Sequence, residues 1–114
     1  MRDVAARLSD AREYARRAAG YVEDVEEIAF ASDIMRREAV CFCLLIVGEA
    51  CVEAAKELVI LPSGIPWMEI KGMRNILVHE YWQIDEAIIY KVARDEAVPL
   101  ADQLDAMIDS LRSV

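Results

Sequence analysis

The chain has 114 residues, with 13 lysine and arginine against 21 aspartate and glutamate side chains, a net charge of -8 and 56% hydrophobic residues. That length fits one core of about 100 residues and not two, and at this size roughly two thirds of the unfolded surface is buried without a disulfide or metal staple. Disorder and collagen-like structure are excluded, and the acidic balance excludes nucleic-acid binding by blanket phosphate neutralisation, so any such role needs a local patch.

One domain is expected over residues 1–114. Four glycines and three prolines are too few for a turn-rich β fold and favour helices. Val4, Leu8, Ala11, Ala15, Ala18 and Val22 recur at helical spacing, which predicts an amphipathic helix ending near Gly20. Residues 21–31 read as a short acidic helix, and Ser32-Asp33 offers an N-cap for a long helix running to about Leu58. The middle of that helix, Ala39 to Val47, is apolar on every face. A domain this small can hardly surround it, so part of its surface is expected to meet a second copy of the chain.

Pro62-Ser63-Gly64-Ile65-Pro66 is the one stretch with clear breaker chemistry, and Pro66 suits the first turn of a new helix carrying Trp67, Ile70, Met73, Leu77 and Val78. A final helix is predicted from Asp85 through Leu111, kinked near Asp95 because Pro99 lacks the N–H that would bond there. The sum is an all-α bundle of four to five helices.

Cys41, Cys43 and Cys51 lie in apolar sequence without metal or redox spacing and read as buried hydrophobes of a reducing compartment. The apolar run is about half the ~20 residues a bilayer requires, and the first twenty residues are too polar for a signal peptide. A cytoplasmic location with no membrane association is the expectation.

The chain has a single histidine, His79, and no Gly-rich phosphate loop, G-x-S-x-G or H-E-x-x-H motif. His79 sits within Lys71-Gly72-Met73-Arg74-Asn75-Ile76-Leu77-Val78-His79-Glu80-Tyr81-Trp82. Cation, carboxamide, imidazole and phenol together suit phosphodiester cleavage, in which an imidazole moves protons while a guanidinium holds the phosphate. On an uninterrupted helix Arg74 and His79 are about 140° apart. Either the helix ends near Val78, or the site takes groups from two copies across a two-fold axis. Arg74 also shares a wheel face with Trp67, Ile70 and Leu77, where a charge needs a cleft or a partner. Glu49, following the apolar run and Gly48, reads as a buried carboxylate for which Arg74 is the candidate partner. Arg36, Arg37 and Lys71 are candidates for a local RNA-contacting rim.

Arg74-(x4)-His79-x-Tyr81 resembles the R-x4-H-x-Y signature of HepT-like toxins of the HEPN ribonuclease superfamily. Arg37-Glu38-Ala39-Val40, Val47-Gly48-Glu49-Ala50, Ile65-Pro66-Trp67, Gly72-Met73-Arg74-Asn75 and Pro99-Leu100 fit the same family in order and spacing. The resemblance implies an all-α HEPN homodimer with a composite cleft, and a metal-independent endoribonuclease without cofactor, acting on RNA and not DNA. It places Arg74 and His79 in catalytic roles with Asn75 as a polar helper. It matches Tyr81 to the tyrosine that a minimal nucleotidyltransferase antitoxin modifies with AMP to silence a type VII toxin. Glu80 and Trp82 depart from the small and phenylalanine-like residues usual at those places. A helical module without nuclease activity, binding a nucleotidyltransferase or a nucleotide, is the alternative that the acidic composition and Glu80 favour.

Overall fold

The computed structural model describes residues 3–113 of the chain. Helix α1 (Val4–Val22) starts at Asp3, whose carboxylate accepts the Ala6 amide at 2.7 Å, and buries the stripe Leu8, Ala11, Ala15, Ala18 and Val22. It passes through Gly20 rather than ending there. The acidic helix expected over residues 21–31 is only its second half, α2 (Glu27–Ser32). A turn precedes it, in which Asp24 takes the left-handed conformation (φ 59°) and the Val25 amide bonds the Val22 carbonyl at 3.0 Å. Aspartate is among the few non-glycine residues that tolerate this geometry.

The Asp33 carboxylate caps α3 (Ile34–Lys56) by accepting the Arg36 amide at 3.0 Å. Val40, Cys43, Leu44 and Val47 of its apolar middle are buried, whereas Phe42 is 53% exposed and Met35 85% exposed. The single chain therefore covers one side of this helix and leaves apolar surface on the other. After the Pro62–Pro66 stretch come α4 (Trp67–His79), with Pro66 at its N-cap, and a 3-10 turn over Tyr81–Gln83. The Asp85 carboxylate then caps α5 (Glu86–Lys91), which continues without a break through a π-helical segment (Val92–Glu96) into α6 (Ala97–Arg112). The irregularity falls where Pro99 has no N–H for the Asp95 carbonyl, and the Ala97 amide reaches back to Val92 instead. Counting that run as one, the described residues form five helices and no strand, an all-α bundle.

Helix α3 is the central element, packed between α1 and α4, and α6 closes against α1. One core cluster joins Leu8, Ala11 and Ala15 of α1 to Val47, Cys51 and Ala54 of α3 and Ala101, Leu104 and Ile108 of α6. The second joins Phe30 of α2, Val40 and Leu44 of α3 and Ile89 and Tyr90 of α5. The Tyr90 hydroxyl donates to the Val25 carbonyl at 2.5 Å and ties α5 to the turn before α2. No helix among the described residues is long and apolar enough to cross a membrane.

Candidate active site

Helix α4 carries the candidate residues, and its two faces are chemically distinct. Trp67 and Ile70 pack on the first core cluster, and Met73 and Leu77 on the second. On the opposite face Met68, Gly72, Asn75 and His79 lie within about 60° of one another, flanked by Lys71. Lys71, Gly72 and His79 are exposed and Asn75 is half-buried. Val78 is exposed as well, so it belongs to this outer side and not to the core stripe in which its spacing placed it.

Arg74 sits at the seam with α3. A Cβ added to Gly48 would lie 2.5 Å from Arg74 Cβ and 2.9 Å from its Cγ, so the two helices meet where α3 has no side chain. Glycine here is required by the close approach. The Arg74 side chain is only 18% exposed, and its Nη1 lies 3.2 Å from Glu49 Oε1. The glutamate is 46% exposed, so burial in this pair falls on the arginine, contrary to the expected buried carboxylate. Arg74 Nε is buried and has no hydrogen-bond partner. The guanidinium is thus held at one corner by Glu49 and keeps one buried donor without a partner.

Helix α4 runs through His79, its last helical residue, before Glu80 caps it by donating its amide to the Ile76 carbonyl at 3.1 Å. The helix ends one residue past Val78, near the expected place, but His79 itself keeps helical geometry, so within one protomer Arg74 and His79 stay on faces about 140° apart. The His79 imidazole and the Asn75 carboxamide make no hydrogen bond to the described residues. Tyr81 is 69% exposed, as is Trp82 at 68%; neither is a core residue. Glu80 is occupied, its carboxylate accepting from Gln83 Nε2 at 2.8 Å.

The cationic rim is thinner than the sequence indicates. Arg36 donates to the Tyr21 carbonyl at 2.5 Å and from Nε to Asp33 at 3.1 Å. Arg37 donates to the Ala31 carbonyl and to Glu86 at 3.2 Å. Arg36 thus ties the end of α1 to α3 and Arg37 ties α2 and α5 to it, and Lys71 alone of the three stands free of such bonds beside the outer face of α4. Among the described residues no three His, Cys, Asp or Glu side chains converge as a metal site would need. An apolar cavity of about 140 Å³, lined by Leu44, Val47, Ile70, Met73 and Leu100, lies along the inner face of α4, away from Asn75 and His79. Trp82 is the residue whose exposure sequence reasoning missed; an aromatic ring directly after H-x-Y was the available signal.

The family model described as "Ribonuclease HepT-like" matches residues 11–107. "Putative RNase MJ1380" of Methanocaldococcus jannaschii is 31% identical over 91% of this chain and 95% of its own length. "Putative RNase TTE0752" of Caldanaerobacter subterraneus subsp. tengcongensis is 33% identical over 76% of this chain and 80% of its own. "Probable ribonuclease HepT" of Thermococcus cleftensis is 26% identical over 84% and 94% respectively. No solved structure gives a significant match.

Proposed function

Because the chain belongs to the HepT-like ribonuclease family, we propose that it is an endoribonuclease cutting single-stranded RNA by in-line attack of a ribose 2'-hydroxyl on the adjacent phosphate. His79 moves the proton, from the 2'-hydroxyl or to the leaving 5'-oxygen, and Arg74 stabilises the pentacoordinate phosphate. The chemistry asks for no metal and no cofactor and leaves a 2',3'-cyclic phosphate. The observation that carries this reading is the state of the two groups. One is a buried guanidinium oriented by Glu49 with its Nε unfilled, and the other an exposed imidazole on the same helix with no internal partner.

The helix geometry supports a site shared between two copies. Since α4 stays helical through His79, Arg74 of one protomer and His79 of another meet more readily across a two-fold axis than within one chain. The apolar surface left open on α3, with Met35 and Phe42, is available for such pairing. Asn75, on the face of His79, orients the phosphate or the ribose, and Lys71 adds the local positive charge that the overall composition denies.

In its biological setting the protein acts as the cytoplasmic toxin of a type VII pair. Tyr81 presents its hydroxyl two residues from His79, where a nucleotidyltransferase antitoxin transfers AMP to it and blocks the site. The reading is tested by incubating purified protein with end-labelled single-stranded RNA in EDTA and analysing the product ends. Cyclic phosphate ends, absent with His79→Ala, are expected. Metal-dependent cleavage or linear 3'-phosphate as the first product would contradict the mechanism. Tyr81 is tested with the antitoxin and ATP, where one AMP is gained by wild type and none by Tyr81→Phe.

A further inference from the structure

Immediately after α4 the chain presents two large rings to solvent. Tyr81 and Trp82 are 69% and 68% exposed, and their centroids are 5.5 Å apart with planes at 78°. An edge-to-face pair covers at most one face of one ring, so aromatic faces remain open. The turn that holds them is well tied. The Gln83 amide bonds the Glu80 carbonyl at 2.7 Å, the Ile84 amide bonds the Tyr81 carbonyl at 3.2 Å, and Ile84 packs on the second core cluster. The other tryptophan behaves as tryptophan usually does: Trp67 is half-buried, with its indole N–H donated to the Pro62 carbonyl at 3.0 Å. Trp82 has no hydrogen bond to the described residues and is left in water. Large aromatics are rarely exposed to this degree unless something covers them in use.

We propose that Trp82 is a substrate-positioning residue whose indole stacks on an unpaired nucleobase of the RNA held at Arg74 and His79. The inference rests on the ribonuclease reading above and extends it to how the substrate is held. Three observations favour a base over other occupants. Trp82 lies three residues from the imidazole, so a nucleotide seated on it is one that neighbours the site. Glu80 on this turn keeps its charge, since its partner Gln83 is neutral, so a contact made through a ring face suits the turn better than one made through phosphates. The nearest basic side chain free of ion pairs on α4 is Lys71, on the flank of the His79 face. A chain of net charge -8 has little phosphate attraction to spend, and stacking is the contribution to nucleic-acid affinity that does not depend on it. Stacking is also indifferent to the identity of the base and unavailable to paired ones, so it selects single strands without selecting a sequence.

The test has two arms. In steady-state cleavage, Trp82→Ala is expected to raise KM roughly 5- to 100-fold with kcat little changed, and Trp82→Phe to recover most of the loss. In binding, His79→Ala protein that also carries Trp67→Phe has Trp82 as its one tryptophan. An unlabelled single-stranded oligoribonucleotide is expected to quench its fluorescence, and a duplex of the same sequence to do so far less. A KM for Trp82→Ala within twofold of wild type overturns the proposal whether or not the Trp67→Phe protein folds. So does a Trp82→Ala protein whose sedimentation shows a changed oligomeric state with unchanged RNA binding, since the ring then belongs to a contact between copies. Quenching by RNA in a protein whose wild type cleaves nothing would leave the stacking site standing and remove the ribonuclease. Cleavage unaffected by Trp82→Ala would do the reverse.

Discussion

Gly48 of α3 and Arg74 of α4 touch so closely that a methyl group on the glycine would lie 2.5 Å from the arginine Cβ. The atoms in the way are Cβ and Cγ, next to the backbone, so a rotamer change cannot clear them and α4 itself must move. Gly48→Ala is therefore expected to cost about 1–3 kcal/mol, the usual range for overpacking, and to reduce cleavage by displacing Arg74. Denaturant unfolding and cleavage rates measured on the same preparation check both effects. A variant as stable and active as wild type would mean that the helices are not held at this distance.

Glu49 separates orientation from stability. Its ion pair with Arg74 is nearly half exposed on the carboxylate side, and a glutamine in its place still offers the guanidinium an acceptor oxygen, so little stability rests on the charge. Glu49→Gln is expected to leave the unfolding midpoint almost unchanged and to lower kcat, because the guanidinium loses the charge that fixes its direction. Unchanged cleavage would assign Glu49 no part in the site.

Acid sensitivity has an identifiable contributor far from the site. Hydrogen bonds from Arg12, at 2.6 Å, and from Arg16 hold the Asp105 carboxyl below the usual carboxylate range. A carboxyl with a lowered folded-state pKa contributes stability that is fully present above its unfolded pKa of about 3.9 and is lost as pH falls through the folded value. Asp105→Asn should be less stable than wild type near neutrality, and the gap should close as the pH drops below about 4. Thermal melts across that range provide the check, and a gap independent of pH would contradict it.

The three thiols should behave as packing groups. Burial pushes the Cys51 thiol up to about 12 and raises those of Cys43 and Cys41 as well. With the folded protein at pH 8, a disulfide reagent is expected to leave Cys43 and Cys51 unmodified and to reach the less buried Cys41 slowly, whereas denatured protein reacts at all three. Rapid modification of Cys51 in the folded state would place it elsewhere than in the core.

Much of this was legible before the structure. The stripe of α1, the Asp33 cap and the irregularity near Asp95 follow from periodicity and from what proline and aspartate do to a backbone. The turn at Asp24 was hidden, because the acidic residues around it are compatible with a helix and only their packing decides otherwise. Arg36 and Arg37 look free in the sequence, since nothing there shows that the carbonyls of Tyr21 and Ala31 fold back to meet them. At the site, residue types and spacing were visible. The contact that places Arg74 was not, because it joins residues 48 and 74 through the absence of a side chain.

Under the proposed function Arg74 and His79, set on different faces of one helix, form a working site across two copies of the chain. Arg74→Ala and His79→Ala proteins, each prepared alone and then co-refolded in equal amounts, test it directly with labelled RNA in EDTA. Neither variant should cleave by itself, and the mixture should regain cleavage, since one site of each mixed dimer receives both intact groups. A mixture as inactive as its components, beside an active co-refolded wild type, would contradict the shared site.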